Sequence, residues 1–127
     1  MENLYIEGTH GTYFVPTVDF NANSGRCEIS GESYLENTRK FYEPLLQWIE
    51  TFVEEESKPI YFNIKLTYFN TSSSRALLDM LNLLKEYEDR GGQVRVNWYH
   101  NVDDDDMIEE IEDYILDTGL DIKMKPM

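Results

Sequence analysis

Ile60, Phe62, Ile64, Leu66 and Tyr68 alternate with polar positions that include Asn63, Lys65 and Thr67. That period of two predicts a half-buried strand over residues 60–69. The alternation returns over residues 93–98, where Val94, Val96 and Trp98 oppose Gln93, Arg95 and Asn97. Between the two, Leu77, Met80, Leu81, Leu84 and Tyr87 recur at helical spacing, and Arg90-Gly91-Gly92 supplies a basic last turn followed by a glycine stop. A third helix is predicted from about residue 103 to 118, and a last short strand over 120–124. Strand, helix, strand, helix, strand implies parallel strands joined by right-handed crossovers. Strands covered on both faces read as continuous apolar runs, and these do not. The helices are therefore expected mainly on one face, leaving Asn63, Lys65, Thr67, Arg95 and Asn97 on an open one.

Upstream of residue 60 the pattern is shorter. Residues 4–6, 13–20 and 26–30 read as strands separated by Gly8, Gly11 and the turn Asn21-Ala22-Asn23-Ser24-Gly25. Connections this short make antiparallel hairpins. Pro16 lacks a ladder donor, which predicts an edge or bulged strand. Ser33-Tyr34-Leu35-Glu36 has capping-box spacing and predicts a helix start. Phe41, Leu45, Trp48, Ile49, Phe52 and Val53 then form one apolar face, with Pro44 expected to kink the helix or make it restart. The expected fold class is α/β (α+β): N-terminal antiparallel hairpin strands joined to a mixed sheet with parallel strands, and about three main helices mostly on one face. A length of 127 residues fits a single domain spanning residues 1–127.

Composition narrows the function. The 25 acidic and 11 basic residues leave a net charge of -14, which repels nucleic-acid phosphates and anionic membranes. The N-terminus does not resemble a signal peptide and no apolar run approaches the ~18 residues that span a bilayer, so a cytoplasmic location is expected. Cys27 is alone, with no disulfide partner or paired-cysteine metal motif, and is expected to be a quiet, partly buried thiol. His10 and His100 lack the spacing of a known site and are expected at the surface or in turns. The acidic run Asp103-Asp104-Asp105-Asp106, followed by five more carboxylates up to Asp117, has ligands suited to calcium or magnesium but lacks the glycine and terminal glutamate of a calcium loop. A capped, solvated helix start explains it better. No G-x-S-x-G motif is present, and Tyr34, Phe41, Tyr42 and Trp48 read as the core and rim of an amphipathic helix. No catalytic residue, metal or cofactor is assigned.

One junction carries a surplus. Tyr68-Phe69-Asn70-Thr71-Ser72-Ser73-Ser74-Arg75 places five small polar residues between the long strand and the second helix. Asn70, Thr71 or Ser72 could each cap that helix, which leaves the other hydroxyls unexplained. A helix N-terminus also tolerates an added phosphate, which brings about -1.5 to -2 charges and three acceptor oxygens.

This run, together with Ala76-Leu77-Leu78-Asp79, Glu32-Ser33-Tyr34, Phe41-Tyr42-Glu43-Pro44, Trp48, Val96-Asn97-Trp98-Tyr99 and Asp104-Asp105-Asp106-Met107, resembles the SiaC family of bacterial regulatory phosphoproteins over nearly the whole chain. That family is similar in fold to the STAS domains of anti-sigma-factor antagonists, and Asn70-Thr71-Ser72 resembles their Asp-Ser-Ser at the same junction. The resemblance implies a non-catalytic partner-switching regulator. A cognate Ser/Thr kinase would phosphorylate Thr71 and a PP2C-type phosphatase would reverse it. The unmodified form would bind and activate a diguanylate cyclase, or another signalling protein, in biofilm control. On that reading Asn70, Ser72, Ser73 and Ser74 shape a phosphorylation loop, and Tyr68, Arg75 and Asp79 belong to the docking surface. The alternative is a domain that binds a small ligand or divalent metal through the open sheet face or the acidic third helix.

Overall fold

A computed structural model describes residues 1–127. The elements are β1 (Leu4–Ile6), β2 (Thr9–His10), β3 (Phe14–Val15), β4 (Thr17–Phe20), β5 (Arg26–Ser33), α1 (Thr38–Glu55), β6 (Ile60–Phe69), α2 (Thr71–Asp89), β7 (Val94–His100), α3 (Asp105–Thr118) and β8 (Ile122–Pro126). Six strands form one sheet in the order β1-β4-β5-β6-β7-β8, and β2 pairs with β3 separately. The β1, β4 and β5 pairings are antiparallel, and those from β5 to β8 are parallel. This is the expected mixed sheet with three helices. The parallel series begins one strand earlier than the alternation after residue 60 indicated, because α1 is itself a crossover from β5 to β6.

The parallel strands step in one direction across the sheet, so right-handed crossovers put α1, α2 and α3 on the same face. Cys27, Ile29, Phe62, Ile64, Leu66, Val96 and Trp98 point into the core. They meet Leu45, Ile49 and Phe52 of α1, Leu77, Leu81 and Leu84 of α2, and Ile111 of α3. On the other face Asn97 Nδ2 donates to Asn63 Oδ1 at 3.0 Å, and Lys65 Nζ sits 3.0 Å from Glu28 and 5.1 Å from the centre of the Tyr99 ring. No helix is long and apolar enough to cross a membrane.

Several expectations need correction. Pro16 splits the predicted strand 13–20 into β3 and β4. Ser33 does not start a helix. It ends β5, held by a backbone bridge between Phe14 and Tyr34, and α1 is capped instead by Asn37, whose side chain accepts from the Lys40 N–H. Pro44 neither ends nor restarts α1, which is helical from Thr38 to Glu55. Because Pro44 lies on the exposed side, water can satisfy the carbonyl it leaves free. Tyr68 does not share the buried face with Leu66. The β5–β6 register shifts at Gly31/Glu32, turning Tyr68 outward at 48% exposure and Phe69 inward against Trp98 and Tyr114. The last strand starts two residues later than expected, and its end pairs with His100, which is buried rather than at the surface. Cys27 is fully buried, and burial pushes its thiol pKa far up, so the inert reading holds in stronger form.

Candidate functional site

The hydroxyl-rich junction is not a loop. β6 ends at Phe69, Asn70 is the N-cap in extended conformation, and Thr71 is already the first residue of α2. Asn70 acts as a hub. Its Oδ1 accepts from the Ser73 N–H at 3.1 Å, from Ser73 Oγ at 2.6 Å and from Ser72 Oγ at 3.2 Å. An amide oxygen has no proton to give, so the hydroxyls must all donate toward it.

That constraint orders a buried chain. Ser33 Oγ lies 2.8 Å from Ser73 Oγ and 2.7 Å from Tyr42 Oη. Since Ser73 spends its proton on Asn70, Ser33 donates to Ser73 and Tyr42 donates to Ser33. The end of β5, the middle of α1 and the cap of α2 are thereby stitched together, and Ser33 and Ser73 are fully buried. The other two serines have separate tasks. Ser72 Oγ is 2.7 Å from Thr38 Oγ1 in the first turn of α1. Ser74 Oγ is 3.0 Å from Tyr114 Oη, and that phenol donates to the Ser74 carbonyl at 2.9 Å, tying α2 to α3.

Thr71 differs from all of them. It is exposed, and its hydroxyl makes no hydrogen bond within the protein. Its position at the first turn of α2 leaves free backbone N–H groups and the positive end of the helix dipole beside it.

Burial of Tyr42, offset in part by the neighbouring Ser33 and Ser73 hydroxyls, raises its pKa from 10.0 to about 12, and burial raises Tyr114 to about 12 against the bond from Ser74. An acid whose folded pKa is raised contributes stability below its unfolded pKa and loses it as pH climbs toward the folded value. Unfolding free energy is therefore expected to fall between about pH 10 and pH 12. Denaturant melts at pH 9 and pH 11 check this, with a smaller fall for Tyr42→Phe than for the parent.

Beside the junction, α1 and α2 flank a groove of 590 Å³ whose lining includes Thr38, Arg39, Glu43, Ser72, Arg75 and Asp79. Each helix contributes one i,i+4 ion pair, Arg39–Glu43 at 3.6 Å and Arg75–Asp79 at 3.3 Å. Of the three residues expected to dock a partner, Arg75 and Asp79 thus meet in one place and Tyr68 does not. Tyr68 joins an exposed aromatic row instead, its ring 6.5 Å from Tyr34, which is 5.8 Å from Tyr13. Sequence reasoning missed the roles of Ser33, Thr38 and Tyr114, which hold the junction from 34 to 40 residues away in the chain, and of Tyr42, which supports it through Ser33. It also missed the groove. The acidic run does not gather into a metal-binding cluster: Asp104 caps α3 through the Met107 N–H at 3.0 Å, and Asp105 and Asp106 fill its first turn.

Comparison with known proteins places the chain as a whole. The model of the SiaC family regulatory phosphoprotein matches residues 6–127. An uncharacterized protein of Pseudomonas aeruginosa (strain UCBPP-PA14) is 31% identical over 114 residues, 90% of this chain and 88% of its own length. The crystal structure of apo-SiaC from Pseudomonas aeruginosa superposes with a TM-score of 0.89 at 29% identity, covering 98% of this chain and 99% of that one. The structure of the diguanylate cyclase SiaD in complex with its activator SiaC, from the same organism, matches with a TM-score of 0.90 at 28% identity and the same coverage. With the family model spanning all but the first five residues, the chain belongs to the SiaC family of regulatory phosphoproteins.

Proposed function

We propose that this protein is a non-catalytic partner switch in which phosphorylation of Thr71 controls the binding of a signalling enzyme. One observation carries the site: among the four consecutive hydroxyls, Thr71 alone is exposed and uncommitted. A kinase acting on Ser72, Ser73 or Ser74 would break a bond that joins α2 to α1, β5 or α3. Thr71 can be modified without loss of any of these, and the helix dipole favours the added charge. A cognate Ser/Thr kinase would add the phosphate and a PP2C-type phosphatase would remove it.

The unmodified form binds and activates a diguanylate cyclase on this reading, which is supported by the 28% identity and TM-score of 0.90 to the chain matched in the SiaD–SiaC complex. Its docking surface is the α1–α2 groove with Arg75 and Asp79, and the exposed aromatic row of Tyr68, Tyr34 and Tyr13 is a second, separate surface available to a partner. Tyrosine and arginine are the residue types that concentrate binding energy at interfaces. The test is turnover of GTP by the diguanylate cyclases encoded with this protein, measured with and without it. Activation of one of them is expected at stoichiometric concentration. Unchanged turnover of every one, with the protein folded, would overturn the cyclase assignment.

A further inference from the structure

Thr71 is outside the lining of the α1–α2 groove, whereas Ser72 and Arg75 are within it. A phosphate at Thr71 needs something to carry its effect into that groove. We infer that Arg75 is the moving part: phosphothreonine 71 takes the Arg75 guanidinium away from Asp79, leaving the Asp79 carboxylate unpaired in the groove. The inference rests on Thr71 being the modified residue.

Helix geometry supplies the first reason. Thr71, Arg75 and Asp79 are spaced i, i+4, i+8 on α2 and share one stripe of its surface. Arg75 therefore stands one turn from each of two acids once Thr71 is phosphorylated. Orientation then decides between them. An acid N-terminal to its base is the better i,i+4 arrangement, and phosphothreonine 71 with Arg75 has that order, while Arg75 with Asp79 has the reverse. Charge points the same way, since phosphate carries about -1.5 to -2 against a carboxylate's -1 and offers three acceptor oxygens to the guanidinium fork. The existing pair is easily exchanged, because the Arg75 side chain is 78% exposed and that of Asp79 44%.

The consequence falls on the groove. In the unmodified protein its rim carries two arginines and two carboxylates in matched pairs. After capture of Arg75, Arg39 alone faces Glu43 and Asp79, with the phosphate at the mouth. A partner seated between the pairs meets an excess of negative charge, which costs binding at an interface matched to the balanced state.

Protein with phosphothreonine installed at position 71 by genetic code expansion gives the test, read by the Nε–Hε resonances of the arginines in proton–nitrogen NMR. In the unmodified protein Asp79→Asn shifts the Arg75 resonance. In the phosphorylated protein the Arg75 resonance is already displaced, and Asp79→Asn no longer moves it. Equal effects of Asp79→Asn in both forms, or a phosphate-dependent shift on Arg39 with none on Arg75, would overturn the inference. Because the phosphothreonine is incorporated during translation, this outcome is independent of where the host's kinase acts. A native phosphate mapped elsewhere would remove Thr71 as the acceptor and leave the NMR result standing as a property of the engineered form alone.

Discussion

Thr71→Glu is expected to lower affinity for the proposed cyclase partner by more than tenfold, a loss of at least about 1.4 kcal/mol, while the fold keeps its stability. The substitution puts a carboxylate at the first position of α2, where the helix dipole favours it by roughly 0.3–1 kcal/mol. No hydrogen bond is lost, because the Thr71 hydroxyl makes none. The thermal midpoint should stay constant or rise by up to about 4 °C. Beside the proposed docking groove the same charge competes with Asp79 for Arg75 and leaves excess negative charge at the docking face, where like-charge juxtaposition costs several kcal/mol. Calorimetric titration against the cyclase, paired with a thermal melt, separates the two effects. A midpoint that drops by ten degrees would instead make Thr71 a structural residue and Thr71→Glu a folding defect.

Asn70→Ala is the opposite kind of change. It deletes the cap of α2, typically about 1 kcal/mol, and leaves the buried Ser73 hydroxyl only the Ser33 carbonyl at 3.4 Å as acceptor, a further ~1–3 kcal/mol. A total of about 2–4 kcal/mol is expected, lowering the thermal midpoint by roughly 10 °C. Asn70→Asp keeps an acceptor oxygen for the Ser73 N–H and for both serine hydroxyls, and should retain stability to within about 1 kcal/mol. If Asn70→Ala proves as stable as the parent, the Tyr42–Ser33–Ser73–Asn70 chain does not hold the junction.

The two substitutions lie one residue apart in sequence, and only the fold distinguishes them. Much of that fold was legible. The period-two alternation of Ile60 to Leu66 and of Val94 to Trp98 marked the central strands, and the stripe from Leu77 to Tyr87 marked α2, because a one-sided core imposes those periods directly. Boundaries failed where long-range pairing outweighed local preference. Ser33 and Glu36 have the spacing of a capping box, yet the bridge from Phe14 to Tyr34 holds that stretch extended, and Asn37 takes the cap. Tyr68 looked like the fifth buried residue of its strand until the register shift at Gly31/Glu32 reversed the faces. Gly31, with φ of 102°, was the available signal, since a glycine inside a strand often marks a bulge.

For the site, the sequence located the junction and the resemblance pointed to Thr71 within it. What could not be read was how differently the neighbours are bonded. Ser72, Ser73 and Ser74 are committed to Thr38, Ser33 and Tyr114, partners 34 to 40 residues distant whose approach depends on how α1, β5 and α3 pack around α2. Local propensity treats all four hydroxyls alike. Their distinct roles follow from tertiary contacts, and so does the groove that sets Arg39–Glu43 against Arg75–Asp79.

The most direct test is the position of the phosphate on protein purified from its native host, mapped by fragmentation mass spectrometry of the peptide that contains residues 70–75. The structure-based expectation is phosphate on Thr71, absent from Ser72, Ser73 and Ser74, and lost on treatment with a PP2C-type phosphatase. Stoichiometric phosphate on any of the three serines, with Thr71 unmodified, would contradict it.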